Sequence, residues 1–476
     1  MIEKRQFYIN GQWVSPAAAR DFDVIDPATE EVCAVISLGD QADTDAAVAA
    51  AKAAFPSWAE TPLEERVTLI RRLGEIYKER RDEMGEAIRM EMGAPIDLAR
   101  NNQWGAGSWH LDGFLDALEN FEFEKPYKGA DRMRMEPIGV CGLITPWNWP
   151  MNQVVLKAIP AMAVGCTMVL KPSEISPLSS LLFAEMVDQA GFPAGVFNLV
   201  NGDGMGVGSQ LSSHPDVDMI SFTGSTRAGI AISKAAADTL KRVSLELGGK
   251  GANIIFADAD EKAVKRGVIH CMQNSGQSCN APTRMMVERS LYPQALEIAK
   301  AAAEATSVGP TTESGRHIGP VVSELQYNKI QGLIETGIKE GATLLAGGLG
   351  RPEGMNKGYF VRPTVFADVT PEMTIYREEI FGPVLSIMPF DSEEHAVEMA
   401  NDTVYGLTNY IQTQDDDKRL RVARRVRSGM VETNGIGRQN GSPFGGYKQS
   451  GNGREGGVWG IEEFCEVKAI SGCPME

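Results

Sequence analysis

Residues 139–150, GVCGLITPWNWP, decide the fold. A short apolar run, 139–144, stops abruptly at Thr145-Pro146, and a helical segment follows before the next such run. Four further runs repeat this design: 167–170 (TMVL), 196–200 (VFNLV), 217–222 (VDMISF) and 242–247 (RVSLEL). Their ends fall at 144, 170, 200, 222 and 247, so neighbours lie 22 to 30 residues apart. Short β runs alternating with helices at that interval predict a parallel sheet with right-handed crossovers. Ligands bind such sheets at the carboxyl ends of the strands, which puts residues 145–150, 171–174, 201–206 and 223–226 where a cofactor would lie.

A second α/β run starts near residue 252, with strand-like pieces at 284–288, 343–346, 383–389, 408–412 and 428–433 and helices such as 325–339 and 392–401. Two α/β domains from one chain leave a cleft between them, a common place for an active site. Upstream, residues 1–40 read as short strands and turns. A helix is expected from the capping box Thr61-Pro62-Leu63-Glu64 to Gly93 and Pro95. Residues 121–136 alternate apolar and charged like an exposed hairpin, and the strand-like run 463–470 is a candidate to cover it, from the same chain or a neighbouring one.

The composition narrows the function. The 476 residues include 46 Lys and Arg against 63 Asp and Glu, a net charge of −17, with 43% hydrophobic and 23% charged residues. That describes a soluble globular enzyme and argues against a nucleic-acid or anionic-membrane partner. The N-terminus carries no apolar core of signal-peptide length, and the longest apolar stretch, 154–170, is broken by Lys157 and Pro160. Seven cysteines (33, 141, 166, 271, 279, 465 and 473) without a close-spaced framework suit a reducing cytoplasm, and scattered histidines give no metal cluster.

Gly451-x-Gly453-x-x-Gly456 matches a dinucleotide fingerprint but follows YKQS rather than a strand, so it reads as a glycine turn. The strand-end segments are better candidates. Thr145-Pro146-Trp147-Asn148-Trp149-Pro150 is a rigid aromatic turn in which Asn148 either caps a helix or serves chemistry. Lys171 and Glu174 can grip ribose hydroxyls, and a carboxylate there repels a 2′-phosphate, which favours NAD over NADP; Ser173 is the ordinary helix cap in that turn. Phe222-Thr223-Gly224-Ser225-Thr226 opens a helix, where free N–H groups suit a phosphate. Glu246 in LELGGK sits in an apolar strand, where desolvation raises its pKa toward that of a general base. Cys279 lies in the polar turn GQSCN, the context of an accessible thiol. Thiol, carboxylate and amide together form a complete set for acyl chemistry.

The segments TPWNWP, KPSE, FTGST, LELGGK, GQSC, EEIFGPV (378–384) and SPFGGYKQSGNGRE (442–455), in this order, resemble the aldehyde dehydrogenase superfamily over residues 7–471. The resemblance implies an α/β fold of two Rossmann-like parallel-sheet domains plus a small β oligomerisation element. Residues 1–118 and 138–248 would form the NAD-binding domain, 249–450 the catalytic domain, and 119–137 with 451–476 the oligomerisation element and tail. It implies NAD-dependent oxidation of an aldehyde to a carboxylic acid by a cytoplasmic homodimer or homotetramer. Cys279 would be the nucleophile, forming a thiohemiacetal and then a thioester. Asn148 would hold the oxyanion, Glu246 would activate water, and Lys157 would assist proton movement. Presence of Glu246 argues against the CoA-acylating branch.

For the cofactor, the resemblance implies Lys171 and Glu174 on the adenosine ribose, Ser225 on the pyrophosphate, and Gln326 and Glu379 on the other ribose. Phe381 would pack near the nicotinamide, Gly204 and Gly224 would give backbone room, and Ile144, Thr145, Pro146, Trp147, Ser173, Phe222 and Leu247 complete the cofactor set. For the substrate, the resemblance implies Trp149, Gln153, Asn280, Arg438 and Phe444, with Trp104, Met151, Leu156 and Ser278 also at the entrance. Arg438 is either a partner for a carboxylate on the substrate or a solvated surface arginine. Two other functions compete: a cofactor-independent thiol hydrolase using Cys279, and a non-catalytic binding protein on the same fold.

Overall fold

A computed structural model describes residues 1–472 and shows two parallel-sheet bodies. The first sheet has eight strands. Five parallel strands form its centre, in the order Arg242–Glu246, Met219–Thr223, Val140–Ile144, Thr167–Lys171 and Phe197–Leu199. Antiparallel strands close both edges: Gly451–Asn452 against Arg242–Glu246, and Phe7–Ile9 with Gln12–Val14 beyond Phe197–Leu199. The second sheet has seven strands, in the order Thr343–Ala346, Thr364–Ala367, Val384–Phe390, Arg284–Glu288, Ala252–Ile255, Thr408–Gln412 and Met430–Thr433. All its pairings are parallel except the first. The fold class is the one the alternating pattern predicts.

Four of the five central strands are buried along their whole length, and Arg242–Glu246 over its last three residues, so none alternates buried with exposed residues. The helix Pro150–Val164 is likewise buried at nearly every position, because the sheet lies on one side and helices from the N-terminal part pack on the other. Lys157 is its one charged residue. A cation at such a position needs a partner, and the site supplies it.

Three expectations need correction. The helix read as one element from 61 is two, Leu63–Glu79 and Arg81–Met92, broken at Arg80. The capping box does not form: Pro62 takes the cap position, and the Thr61 hydroxyl instead donates to Ser57 O as the preceding helix ends. The boundary expected at 451 falls inside the first body, since Gly451–Asn452 joins its sheet and Ile461 and Phe464 enter its core. Of two small three-stranded sheets, the one that holds the hairpin is therefore Glu124–Pro126, Arg132–Pro137 and Cys465–Ile470, and the strand that pairs with the hairpin comes from the same chain. The strands Ala252–Ile255 and Thr364–Ala367 complete the second sheet without having been picked out individually. Gly451, Gly453 and Gly456 all have positive φ, as a glycine turn requires. Cys473 lies outside the described residues. Among the described residues no helix is long and apolar enough to cross a membrane.

Candidate active site

The loop after helix Ala263–Met272 carries Cys279 and is conformationally costly. Asn274 (φ 54°), Ser275 (φ 55°) and Gly276 (φ 71°) are three consecutive left-handed residues, a conformation unfavourable for residues bearing a Cβ. At Gly276 glycine is required twice over, because a Cβ there would run into the Gly382 carbonyl. Buried amides hold the loop in this shape. Gln103 Nε2 donates to Asn148 O (3.0 Å) and to Asn274 Oδ1 (3.2 Å). Asn274 Nδ2 donates to the same Asn148 carbonyl (3.0 Å) and to Gln277 O (3.2 Å), and Asn148 Nδ2 also donates to Gln277 O (3.1 Å). The aromatic turn and the cysteine loop are thereby one unit, with the Asn148 amide beside the strand of backbone that leads to Cys279. Trp149 Nε1 adds a bond to Ser278 Oγ (2.8 Å).

Burial pushes the Cys279 thiol up to about 12, helped by the negative charges of Glu379, Glu246 and Glu455. A resting thiol that weak an acid needs a base. Glu246 ends its strand fully enclosed, and no described group donates to either of its oxygens. Burial and then the charge of Glu455 push its carboxyl well above the usual range, while Lys157 and Arg454 pull it down. Lys157 donates to Thr223 Oγ1 (2.7 Å) and forms a close ion pair with Glu455. Lys157 and Glu455 are 1% and 7% exposed, so the pair is a buried one whose partners neutralise each other. The sequence named Lys157 and Glu246 but gave no role to Glu455, and placed Thr223 only in the ligand-facing turn 223–226. Both lie in the quoted motifs, but nothing in a linear pattern pairs position 157 with position 455.

A cavity of about 230 Å³ opens between the two sheets at Cys279. Its wall unites Asn148 and Cys279 with eight of the expected cofactor residues: Pro146, Trp147, Gly224, Ser225, Leu247, Gln326, Glu379 and Phe381. Thr223, in the expected ligand-facing turn 223–226, also lines it, as do Gly248 and Lys329, which were not foreseen. Gly248 leaves the space that a Cβ would take from Glu379. Glu379 Oε1 accepts from Gly249 N (2.8 Å), and burial raises its carboxyl. Gln326 Nε2 donates to Phe381 O (2.8 Å), fixing a backbone held at φ 57°, and the Phe381 ring meets Trp147 edge-on at 5.4 Å. The Ser225 hydroxyl caps helix Thr226–Ala236 by accepting from Ala228 N, leaving that helix start facing the cavity.

Ile144, Thr145, Lys171, Ser173, Glu174, Gly204 and Phe222 stand outside this cavity's wall, along the same strand-end edge of the first sheet. There Lys171 Nζ donates to Pro172 O (2.8 Å) and lies 3.4 Å from Glu174 Oε2. Gly204 begins a π-turn beside them, where an added Cβ would meet nothing within 4 Å. A glutamate held over a strand end, a free helix start and a second buried carboxylate fit a dinucleotide with two riboses and a pyrophosphate.

On the substrate side Trp104 departs from expectation. Its ring stacks on Tyr77 (5.6 Å, 10°) and its Nε1 donates to Tyr77 O, so it is a packing residue. Met151 and Leu156 are core residues. Gln153 is buried with Oε1 unpartnered, and Asn280 O accepts from Tyr410 OH (2.6 Å). Arg438 is no solvated surface arginine: its guanidinium lies over the Phe444 ring at 4.9 Å, with Glu432 at 3.5 Å. Among the described residues no group of three His, Cys, Asp or Glu side chains could hold a metal ion.

Residues 13–470 match the sequence profile of the aldehyde dehydrogenase family. A 3-succinoylsemialdehyde-pyridine dehydrogenase from a Pseudomonas species is 51% identical over 474 residues, covering 99% of each chain. The crystal structure of an aldehyde dehydrogenase from Bartonella henselae superposes with a TM-score of 0.98 at 61% identity, over 99% of this chain and 100% of that one. A mutant of aldehyde dehydrogenase C from Pseudomonas syringae, complexed with NAD+ and octanal, superposes with a TM-score of 0.97 at 48% identity, over 99% and 98% of the two chains.

Proposed function

The chain belongs to the aldehyde dehydrogenase family and oxidises aldehydes with NAD, and on that premise we propose that Cys279 is the nucleophile, Asn148 the oxyanion donor and Glu246 the general base. The observation that carries this is the common wall: Cys279 and the Asn148 amide face one cavity, with Glu379, Phe381 and a free helix start around it.

Glu246 takes the Cys279 proton as the sulfur attacks the aldehyde carbon, forming the C–S bond and placing negative charge on the oxygen. Asn148 Nδ2 and the Cys279 N–H receive that oxyanion, and preorganised donors of this kind are worth about 2.7–4 kcal/mol of barrier. When NAD is bound it supplies the hydride acceptor, and the thioester remains on Cys279. Once that first proton has left Glu246 by way of the Lys157–Glu455 pair, Glu246 takes a proton from water, which attacks the thioester carbon; the C–S bond breaks, the Cys279 thiolate recovers that proton from Glu246, and the carboxylic acid leaves. Lys157 and Glu455 carry the accumulated proton away through a buried pair that Thr223 orients.

Lys171, Ser173, Glu174 and Gly204 would hold the adenosine end of NAD, with Ile144, Thr145, Pro146, Trp147, Phe222, Gly224, Ser225 and Leu247 beneath its middle. Gln326, Glu379 and Phe381 would fix the reacting end. Glu174 makes NAD the preferred cofactor over NADP. Trp149, Gln153, Asn280, Arg438 and Phe444 line the approach of the aldehyde. The three-stranded sheet, whose Val467 is 65% exposed, supports assembly into a homodimer or homotetramer, testable by light scattering. Six free cysteines among the described residues support a cytoplasmic enzyme. The deciding experiment is NADH formation with simple aldehydes. Cys279→Ala should abolish it while NAD still quenches tryptophan fluorescence; activity surviving that substitution would overturn the assignment.

A further inference from the structure

Lys157 and Glu455 are 1% and 7% exposed, and Glu455 Oε2 is buried with no donor. One proton leaves the enzyme in each turnover, so a pair this deep needs an outlet. The strand that carries Glu246 shows where it lies. In Arg242-Val243-Ser244-Leu245-Glu246 successive side chains point to opposite faces. Val243, Leu245 and the following Leu247 belong to an apolar core. Arg242, Ser244 and Glu246 therefore share the other face, a polar stripe about 13 Å long that leads from a partly exposed arginine to the buried base.

Glu463 lies along this stripe. It ends helix Gly457–Glu463, is half-buried, and accepts at Oε1 from Arg454 N (2.7 Å), the residue before Glu455. Two glycines of the 442–455 segment make the approach possible. At Gly453, held at φ 84°, an added Cβ would lie 2.4 Å from Ser244 Oγ and 3.0 Å from Glu463 Oε1. At Gly445 it would lie 2.7 Å from Glu246 Oε1 and 2.6 Å from the Gly453 carbonyl. Glu246 thus touches one glycine, Ser244 and Glu463 touch the other, and a side chain at either would wedge them apart. The turn that imitates a dinucleotide fingerprint serves instead to let these groups converge. Burial raises the Glu463 carboxyl, Arg454 N–H and Arg242 lower it, Glu455 raises it and Ser244 lowers it. Glu455 and Glu463 are both among the charges that raise Glu246, so the three carboxylates share one field. Beyond Glu463 the stripe reaches the surface. Arg242 Nη1 donates to the Glu463 carbonyl (3.2 Å), and Nη2 pairs with Glu466 (2.9 Å), which is 56% exposed. Arg242 and Glu466 line a cavity of about 410 Å³ beside the exposed Leu240.

We propose that Glu463 is the outlet of the proton route, a positioning residue that takes the proton Glu246 has passed to Glu455 and releases it to solvent beside Arg242. Only a proton moves: Glu246 takes it from the thiol, Glu455 Oε2 receives it, Glu463 passes it on, and each carboxylate ends as it began. This outlet rests on Glu246 being the base. The test is Glu463→Gln, which keeps the size and the acceptor for Arg454 N and removes the titrating group. In stopped flow with saturating NAD and pentanal in weak buffer, its first NADH should form as fast as in wild type, because Glu246 is free to take one proton. Later turnovers should slow about tenfold, less than the ~10²–10⁴-fold of an acid or base at the reacting atoms, and added imidazole should restore them. A steady state within twofold of wild type overturns the inference. A slowed first turnover, or a loss that imidazole does not restore, overturns it as well, because either marks a structural role. Should the variant fail to fold, Ser244→Ala, which removes the hydroxyl beside Glu463, should show the same split between first and later turnovers, and unchanged rates there overturn the outlet. Full activity in Glu246→Gln, or no NADH from the wild type, would overturn the proposed function instead.

Discussion

Replacing Gln103 with methionine should separate stability from catalysis. Gln103 is fully buried at the end of a π-turn, Ala99–Gln103, where the helix widens by one residue. It touches no reacting group, but its Nε2 holds the Asn148 carbonyl and Asn274 Oδ1. Methionine keeps the length and apolar volume and removes the amide. The loss of the bond to Asn148 costs about 1 kcal/mol, and stranding Asn274 Oδ1 costs about 1–3 kcal/mol. Gln103 Oε1 is itself buried without a partner, so its removal returns a penalty of the same size, about 1–3 kcal/mol. The net change in stability should therefore be only about 1 kcal/mol. Catalysis should suffer more, since the Asn148 carbonyl keeps a single tether, Asn274 Nδ2. A displacement of about 1 Å at reacting groups costs up to about 10²-fold, and a partly restrained turn should lose about tenfold in kcat, or about 1.4 kcal/mol of barrier. The assays are kcat at saturating aldehyde and NAD, NAD affinity by fluorescence quenching, and unfolding by calorimetry. A kcat within twofold of wild type, or a loss matched by weakened NAD binding, would refute the reasoning, because the amide would then serve folding alone.

Asn148→Ala should lower kcat by about 10²–10³-fold with NAD binding retained; a tenfold smaller effect would remove it from the oxyanion site. Lys157→Met strands Glu455 in a buried position and should cost about 3–5 kcal/mol in urea unfolding. Because Lys157 lowers the Glu246 pKa, its loss should move the acid limb of the kcat–pH profile to higher pH, and an unmoved limb would break the proposed coupling. With its thiol raised to about 12, apo Cys279 should be alkylated by iodoacetamide about tenfold faster per pH unit between pH 7 and 10; a plateau below pH 9 would contradict the burial argument. Glu174→Ser should raise kcat/KM with NADP relative to NAD, and an unchanged ratio would sink the ribose assignment.

What the sequence made legible was whatever recurs locally. The five buried runs of the first sheet and their turns are local, so strand ends and ligand edge could be read directly. The capping box at Thr61 misled because the chain was already inside a longer arrangement: the preceding helix runs to Glu60 and uses Thr61 as its own terminus. Glu455 and Gln103 were invisible for another reason. Each acts through a partner 45 or more positions away, Lys157 in one case and Asn148 in the other, and each residue type is common on surfaces. Arg438 shows the limit from the opposite side. Its loop was found, but whether an arginine in a glycine-rich loop faces water or packs on Phe444 is settled only by the fold.

The strain in the nucleophile loop links these observations. Three left-handed residues in a row persist only where the surroundings over-determine them, and here the same amides that do so also position Asn148. The loop begins at the inner end of helix Ala263–Met272, which lines a second cavity, of about 660 Å³, while Gly276 abuts the Gly382 backbone next to Phe381 on the cofactor side. The Cys279 sulfur thus opens on one cavity, while the segment that carries it begins at Gln273 on the wall of the other. A change in either cavity acts on the nucleophile through Gln273 or Gly276, so substrate-side substitutions such as Arg438→Met should leave the NAD affinity alone unless they also disturb the amides of Asn274 and Gln277. Measuring NAD affinity in each substrate-side variant separates these cases: a correlated loss would show the loop to be a hinge, and independence would show it to be a fixed wall between two sites.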